Sequence, residues 1–477
     1  MATTRGARRP SGRPSAPAEP ADWASFHARP EVRRQLEQFL GGLPLAAATA
    51  CYLSPPLPPL EAPRRRWPTS ELAARLARDP ELARSLWDRE ALVADIDLEH
   101  VDFDHPERTL AEPERARALL RPTVEALTEL LAAAGVPTLH LLTGRGHHLL
   151  WRVRKSSRAF AALARLGEVE PELACEYDSP QPPAGEIVGR RAGAAWSGLG
   201  KLVEYFAHRA LARAAPVTPI PIQLTAVAVG VGEHGRETVS IDLSAFADPL
   251  DCRGVRMPFT AYRKPLAAAA DGAPWITLPA ARDVAAAVGA MRSFAAAAQW
   301  ARAARCEIPD GSQGSARLLA EYRRSSLAAF HRRFAAQHAH GPERWPSTYD
   351  RLDLGELPAC AARVLASPND LLLRPAAIQL VVRTLLAHGW QARHVAGLIR
   401  SKYERPYDWL PDIHFHDAGT RAEVYTRLFA GLVATGRDRL VDFNCRSTLE
   451  KGLCSESGCP WNLAALGRRL LGAGIDA

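Results

Sequence analysis

The amino-acid sequence predicts an α+β protein in which a domain with a mixed β-sheet core is followed by an all-helical C-terminal domain. Between residues 91 and 290, short apolar or alternating runs such as ALVADIDL, HHLLWRV and TVSIDLSAF are bounded by Gly, Pro and charged residues. Helical segments such as 112–134 separate these runs. From residue 346 onward the apolar residues recur at helical spacing, as in AAIQLVVRTLLAHGW. The order of the two patterns predicts the order of the two domains.

The chain of 477 residues is long enough for two or three folding units. Residues 1–20 carry basic residues but lack the apolar segment of a secretory signal, which indicates a disordered tail on a cytoplasmic protein. No apolar run approaches the length of a membrane span, so we expect a soluble protein with no membrane partner. The first domain is predicted at 21–290, a helical linker at 291–345 and the helical domain at 346–477.

The net charge indicates which kind of partner to expect, and the distribution of Cys residues indicates whether disulfides stabilise the fold. The formal net charge of +8 fits a polyanionic partner, although many basic proteins never bind nucleic acid and the Arg-rich composition also fits codon usage. Eight Cys residues are dispersed along a long chain, which argues against a disulfide framework.

Acidic residues follow two of the apolar runs. Asp95 and Asp97 lie two residues apart, and on a strand this spacing places both carboxylates on one face. Asp242 ends a β-branched run and would reach the same place from a neighbouring strand. Three such ligands suit Mg²⁺ or Mn²⁺ and can hold two ions about 4 Å apart, although paired Asp residues are also common on surfaces. Five further residues crowd this region and are expected to lie in a loop: Glu99, His100, Asp102, Asp104 and His105.

The segment LLTGRGHHLLW pairs a Gly-rich turn with a His at the start of the next strand. Gly144 and Gly146 let backbone amides approach a phosphate, and Arg145 supplies a forked donor for its oxygens. His148 can hydrogen-bond a triphosphate from the strand. Strand alternation lets only one of the two adjacent His residues face the site, and the other packs or points to solvent.

Three Cys residues fall close together near the C-terminus. Cys445, Cys454 and Cys459 are spaced by nine and five residues, wider than the knuckle of ordinary zinc ribbons. Thiolates gathered from a loop and one distant position can hold a [4Fe-4S] cluster or a zinc ion. Cys360, 85 residues upstream of Cys445, is the best candidate for the fourth ligand. The alternative is that Cys360 is a small buried residue in a helix.

The segments DID, TGRGHH and SID occur in the order and approximate spacing of the three motifs of the archaeo-eukaryotic primase superfamily, which the chain resembles. By this resemblance Asp95 and Asp97 match the first motif, His148 the second and Asp242 the third. The resemblance implies that the acids serve two-metal nucleotidyl transfer and that the His grips the incoming nucleotide.

Two details of the resemblance concern the phosphates. Thr143 stands where Ser is more usual, and Arg145 lies directly between the two glycines, so either the guanidinium or the backbone amides could be the main phosphate contact. The segment 247–265 resembles a stretch that flanks the third motif. On that likeness Arg256 and Lys264 contribute positive charge around the nucleotide or template phosphates.

The C-terminal pattern resembles the iron-sulfur domain of the primase large subunit, in which four Cys residues ligate a [4Fe-4S] cluster and the domain assists initiation. The matching positions are Cys360, Cys445, Cys454 and Cys459. The last two lie close together here, and His414 and His416 are nearby substitutes that would favour zinc.

The two resemblances together imply a fused primase-polymerase that makes oligonucleotide primers from nucleoside triphosphates on a single-stranded DNA template. A helicase or other replication or repair proteins are further candidate partners. Three alternatives stay open: a repair or translesion polymerase that only extends primers, a non-catalytic single-stranded nucleic-acid-binding protein, and a metal-dependent phosphoesterase.

Overall fold

The structure is a computed structural model that describes most of the chain. The described residues are 22–55, 66–181, 185–230, 236–247, 250, 254–263, 273–280, 284–366, 370–405, 418–455 and 459–472. The predicted tail at 1–20 lies outside them. Among the described residues, no helix combines the length and the apolar composition that a membrane span requires.

Helices and strands alternate in the first two thirds of the chain, and helices follow. The N-terminal elements are α1 (Trp23–Ala28), α2 (Pro30–Phe39), β1 (Leu53–Ser54), α3 (Leu72–Arg78) and β2 (Ala83–Ser85). The central elements are β3 (Ala91–Asp102), α4 (Arg108–Ala111), α5 (Pro113–Ala133), β4 (Leu139–Leu142), β5 (Gly146–Arg154), α6 (Arg158–Leu166), α7 (Pro171–Tyr177), α8 (Arg190–Ala214), β6 (Ile222–Gln223), β7 (Glu237–Asp242), β8 (Gly254–Arg256) and β9 (Leu278–Pro279). The remaining helices are α9 (Val284–Ala290), α10 (Phe294–Ala303), α11 (Ser312–Tyr322), α12 (Ser326–Ala336), α13 (Ala359–Leu365), α14 (Pro375–Ala387), α15 (Ala392–Tyr403), α16 (Ala418–Ala434), α17 (Cys445–Glu450) and α18 (Leu463–Gly472).

The prediction of an α+β fold with a mixed sheet is confirmed. The main sheet has six strands in the order β6-β7-β3-β5-β4-β9. The pair β6–β7 is parallel and the other pairs are antiparallel. A small antiparallel sheet contains β1, β2 and β8 in the order β1-β2-β8. Within the described part of 346–477, every regular element is a helix.

The long strand β3 lies near the middle of the main sheet. Its first four residues, 91–94, are all buried, and α5 and α8 pack against this strand. From Asp95 onward burial alternates, so that Asp95, Asp97 and Glu99 are partly exposed while the residues between them are buried. This alternation is the period of two that a strand imposes on its side chains. One face of β3 is therefore partly exposed from Asp95 onward, where the acidic residues begin.

A buried ion network joins three parts of the chain that the sequence assigned to different domains. Glu204 on α8 is fully buried, and its carboxylate contacts His331 Nε2 on α12 at 3.1 Å and Arg427 Nε on α16 at 3.0 Å. Burial raises the pKa of Glu204, but His331 and Arg427 lower it more strongly, to about 2. Removing one partner of such a buried pair typically costs about 3–5 kcal/mol. The predicted domain boundaries stay a prediction, and the segments that they separate are held together at this network.

A second buried network fixes α17. Arg383 on α14 contacts Asp438 at 2.7 Å and Asp442 at 3.0 Å, and Asp442 also pairs with Lys451 at the end of α17. All four side chains are buried or nearly so. Because each charge has an opposite charge beside it, the network stays compatible with burial.

Helix α17 also contacts the connection that leads into β7 of the main sheet. Gly230, in the connection between β6 and β7, lies so close to Ser447 of α17 that a Cβ atom added to the glycine would meet the Ser447 hydroxyl oxygen at 1.8 Å. Arg236, which directly precedes β7, donates a hydrogen bond from Nη1 to the backbone carbonyl of Glu450 at 3.2 Å. The C-terminal helical region is therefore in contact with the segment that leads into the strand that carries Asp242.

Candidate functional site

Three neighbouring strands bring the predicted acidic residues and one His onto the same face of the main sheet. Asp97 on β3 lies directly opposite Asp242 on β7 and directly opposite His148 on β5. Asp95 precedes Asp97 by two residues on the same strand, so its side chain points to the same face. Directly opposed residues of antiparallel strands have Cβ atoms about 4.5–5.5 Å apart. We call the surface formed by Asp95, Asp97, His148 and Asp242 the carboxylate face.

His148 lies between the two carboxylates of β3. Its Nδ1 atom is 3.1 Å from both oxygens of Asp95, and its Nε2 atom is 3.8 Å from Asp97 Oδ1. Burial lowers the pKa of His148, but Asp97 and Asp95 raise it more strongly, to about 9. His148 is therefore an imidazolium at neutral pH and can donate hydrogen bonds from both ring nitrogens.

The pKa of Asp97 on the carboxylate face is strongly raised. Burial raises its pKa, His148 lowers it, and the charges of Glu99, Asp95 and Asp242 raise it again, so that the pKa lies at about 7. Its Oδ1 atom is buried and has no hydrogen-bond partner among the described residues. The His148 ring lies 3.8 Å from this atom, beyond hydrogen-bond distance. A buried carboxylate oxygen without a hydrogen bond is costly, and a bound metal cation is one way to satisfy it.

Asp242 is oriented by the turn that follows β7. Its Oδ1 atom accepts hydrogen bonds from the Ser244 backbone N–H at 2.9 Å and from Thr225 Oγ1 at 3.3 Å. These donors hold the carboxylate at the edge of the strand rather than letting it extend into solvent. The sequence reasoning did not identify Thr225, which lies 17 residues upstream and gives no sequence signal of this role.

The donor chemistry of the carboxylate face fits Mg²⁺ or Mn²⁺. These cations prefer oxygen ligands, and Asp95, Asp97 and Asp242 supply carboxylate oxygens from one side of the sheet. Within the described part of the chain, no three His, Cys, Asp or Glu side chains have already converged closely enough to hold a metal ion. The Oδ1 atom of Asp97, which lacks a hydrogen-bond partner among the described residues, is thus the observation that favours a metal cation at this place.

The Gly-rich turn between β4 and β5 is closed by its own hydrogen bonds. The Thr143 N–H donates to the Gly146 carbonyl at 3.0 Å, and the Gly146 N–H donates to Thr143 Oγ1 at 3.2 Å. The Thr143 side chain is buried, so its hydroxyl serves the turn itself. Arg145 Nη2 donates weakly to the His100 carbonyl at 3.4 Å, and Arg145 Nε is buried without a hydrogen-bond partner among the described residues. The Arg145 side chain as a whole is partly exposed beside the turn.

Both glycines of the turn are also required by packing. A Cβ atom on Gly146 would lie 1.7 Å from the Leu98 carbonyl oxygen, and one on Gly144 would lie 2.6 Å from the ring of Tyr262. No side chain larger than hydrogen fits at either position without a shift of its neighbours. The approach of their amides to a phosphate stays a prediction.

Arg256 lies beside the carboxylate face on the small sheet. Its guanidinium contacts Glu81 Oε1 at 2.7 Å and stacks on the ring of Tyr262 at 4.4 Å. The charge of Arg256 acts against protonation of His148 and so opposes the rise of its pKa. Tyr262 is buried between Arg256 and the Gly-rich turn, and the sequence reasoning missed it because a single Tyr in a loop carries no motif. Lys264 lies outside the described residues.

The expectation that five residues after the first motif form a loop is wrong for three of them. Glu99, His100 and Asp102 belong to β3, which continues to residue 102 because it pairs with β7 along this whole stretch. Glu99 points to the same side as Asp95 and Asp97, as a fourth acid. The buried charge of Asp102 is accommodated by Arg108 at 3.1 Å, a partner that local sequence patterns do not reveal. Asp104 and His105 do follow the strand, as expected.

The four sequence-predicted Cys residues line one cavity of about 300 Å³ in the C-terminal region. Cys360 on α13 is buried, Cys445 is the first residue of α17, and Cys454 and Cys459 follow that helix. Burial raises the pKa of the Cys360 thiol, and Cys454 and Cys445 raise it further, to about 12. Seven cysteines are described and all are free thiols. The helix position of Cys360 agrees with the alternative of a buried structural residue, but its neighbours are the three other candidate ligands.

The substitutes for the fourth ligand cannot be compared with it, because His414 and His416 lie outside the described residues. Comparison of the chain with protein-family models, with curated proteins and with solved structures finds no match. The geometry of the carboxylate face and of the Cys cavity is therefore the basis for a functional conclusion.

Proposed function

We propose that the protein is a primase-polymerase that joins nucleotides from nucleoside triphosphates on a single-stranded DNA template. The observation that supports this proposal is the alignment of Asp242, Asp97 and His148 across three adjacent strands, with Asp95 on the same face. Carboxylates for divalent cations and a cationic His for phosphate stand side by side there, as nucleotidyl transfer requires.

Asp95, Asp97 and Asp242 would hold the divalent cations. When bound, these ions lower the pKa of the attacking hydroxyl and neutralise charge on the leaving pyrophosphate. No separate general base is required of the protein. Without bound cations the carboxylates repel the negatively charged nucleoside triphosphate. The nucleoside triphosphate and the metal should therefore bind together.

The cationic side chains would orient the triphosphate. His148 is a ring N–H donor beside the acids, and Arg145 is a partly exposed guanidinium on the Gly-rich turn. Both lie on or beside the Gly-rich turn, so they can contact phosphate oxygens from one side. Arg256 is already paired with Glu81 and supplies background positive charge rather than a free donor.

The C-terminal region would serve initiation through the cysteine centre. All four candidate ligands line one cavity, which fits a [4Fe-4S] cluster or a zinc ion by donor type. Helix α17, which begins with Cys445, contacts the connection into β7. A centre at this cavity would therefore lie next to a helix that contacts the connection into the strand that carries Asp242.

Incubation of the purified protein with unprimed single-stranded DNA, labelled nucleotides and Mn²⁺ or Mg²⁺ tests the polymerase proposal. We expect de novo oligomers from the wild type and a loss of at least about 100-fold in Asp97→Asn and Asp242→Asn, because even outer-shell partners of a metal are worth 10–100-fold. Glu107→Gln is the matched control, since it makes the same carboxylate-to-amide change at an exposed site just beyond β3. Extension of supplied primers alone would favour the repair polymerase. Hydrolysis of phosphoesters without incorporation would favour the phosphoesterase, and template binding alone would favour the non-catalytic reading.

Anaerobic purification followed by absorbance and metal analysis tests the cysteine centre. We expect a brown protein with about four iron atoms per chain. Cys360→Ser and Cys454→Ser should lose the colour, whereas the exposed Cys175→Ser should keep it. A colourless protein with one zinc per chain would replace the cluster by zinc and leave the polymerase proposal intact, and a protein without bound metal would overturn the proposed centre.

A further inference from the structure

Arg117 lies on α5, on the side of the main sheet opposite to the carboxylate face. Its side chain is buried, and its Nη1 atom donates a hydrogen bond to the Gly146 carbonyl at 2.7 Å. Its Nη2 atom donates to the Thr143 carbonyl. One guanidinium thus bridges the two residues that close the Gly-rich turn.

The same guanidinium organises the two His residues behind the turn. Arg117 Nη1 is 3.3 Å from His147 Nε2, and His147 Nδ1 is 2.8 Å from His140 Nε2. Burial lowers the pKa values of both His residues, and the charge of Arg117 lowers them further, so both rings are neutral at physiological pH. His147 therefore faces away from the carboxylate face, as strand alternation requires, while its neighbour His148 faces it.

A buried Arg is unusual at a position where the side chain serves packing alone. Among the described residues no carboxylate forms an ion pair with it, and burial lowers its pKa to about 10, which still leaves it charged at neutral pH. Burying an unpaired cation is costly unless strong hydrogen bonds compensate, and an apolar side chain would fill the space at lower cost. The compensation here comes from the carbonyls of the turn.

We propose that Arg117 is a positioning residue for nucleotide binding, because it bridges the carbonyls of Thr143 and Gly146 and so fixes the turn that carries Arg145 and leads into His148. This inference rests on the proposed function. The guanidinium draws the negative ends of two peptide dipoles to the back of the sheet and away from the phosphate side. A planar fork is required for this, because a single ammonium cannot bridge both carbonyls with the same geometry.

A cavity on the same side of the sheet allows the role of Arg117 to be tested with a small molecule. It measures about 1250 Å³, lies between α5 and α9, and is lined by Arg117, Arg121, His140 and Trp275 among others. Truncation of Arg117 would open a hole that communicates with this cavity. A small guanidinium ion can therefore reach the carbonyls of the turn from solution.

The variants are Arg117→Ala, Arg117→Lys and, as a matched control, Arg121→Ala. Arg121 lies one helical turn further along α5, lines the same cavity and is exposed. In Arg117→Ala we expect KM for the incoming nucleotide to rise about 10–100-fold with a smaller change in kcat, since hydrogen bonds to a charged group are worth about 1.5–3 kcal/mol. Guanidinium at about 20 mM, far below denaturing concentrations, should restore KM, and sodium at equal ionic strength should not. Arg121→Ala should behave as the wild type.

Hydrogen exchange at the backbone amides of residues 143–148 separates this inference from the proposed function. We expect faster exchange in Arg117→Ala, slower exchange again with guanidinium, and no change in Arg121→Ala, whether or not the protein incorporates nucleotides. If the wild type is active and Arg117→Ala has an unchanged KM, the inference is overturned alone. Should Arg117→Ala not fold, Arg117→Lys decides: a wild-type KM and exchange rate in that variant would also overturn it.

Discussion

Replacement of Gly146 by Ala tests whether the two central strands approach each other as closely as the structure shows. A Cβ atom at this position would lie 1.7 Å from the carbonyl oxygen and 2.8 Å from the carbonyl carbon of Leu98. Ordinary contacts need more than 3 Å, so the start of β5 must move away from β3 by roughly 1.5 Å. Hydrogen bonds of the ladder weaken steeply when they lengthen by even half that distance. The loss of two such bonds at about 1 kcal/mol each, with overpacking at about 1–3 kcal/mol, gives about 3–5 kcal/mol of destabilisation.

Urea unfolding followed by circular dichroism measures this change. Gly289→Ala is the control, because Gly289 lies inside α9 with nothing within 4 Å of an added Cβ atom. A helix favours Ala over Gly by up to roughly 0.5–1 kcal/mol, and by less at this penultimate position of α9, so the control should be slightly more stable than the wild type. The same chemical change is thus expected to act in opposite directions at the two positions. An unfolding free energy of Gly146→Ala within about 1 kcal/mol of the wild type would refute the close approach of Gly146 to Leu98.

Two further predictions concern buried ionisable groups. The folded pKa of Glu204, about 2, lies below the ordinary value of 4.5, so its stabilisation is present above pH 4.5 and is lost as the pH falls toward 2. The wild type should therefore exceed Glu204→Gln in unfolding free energy by on the order of 3 kcal/mol at pH 7, and this difference should shrink between pH 4.5 and 2 in denaturation series; a constant difference would contradict it. In native alkylation at pH 8 read by mass spectrometry, the exposed Cys175 should react, whereas Cys51, whose pKa is raised to about 12 chiefly by burial, should stay protected; equal labelling of both would contradict the burial of Cys51.

The fold class and the carboxylate face could be predicted from the sequence because their signals are local. Asp95 and Asp97 follow an apolar run at a spacing of two, and that spacing alone places them on one face of β3. The extent of β3 could not be predicted in the same way. Glu99, His100 and Asp102 look like loop residues because charged side chains are rare inside strands, and their place in the sheet depends on the distant strand β7.

Residues that pack behind the site are still harder to predict from the sequence. Arg117 lies on an amphipathic helix in which Arg normally marks the solvent side, and only the position of the turn shows that this one is buried. Tyr262 likewise has no motif, yet it fills the space that the absent side chain of Gly144 leaves open. Both depend on contacts between segments far apart in the chain, which periodicity and spacing do not encode.

Helix α17 connects the proposed cysteine centre to the segment that leads into β7. In this chain Ser447 packs against Gly230, and Arg236 joins the Glu450 carbonyl of α17 to Asp104 just after β3. Arg236 directly precedes β7, so a displacement of α17 acts on the strand that ends in Asp242. Lys451 pairs with the buried Asp442 and so fixes α17 to the helical region. A metal that ordered the proposed Cys centre would therefore stabilise α17 and, through Arg236, its contact with the segment that leads into β7.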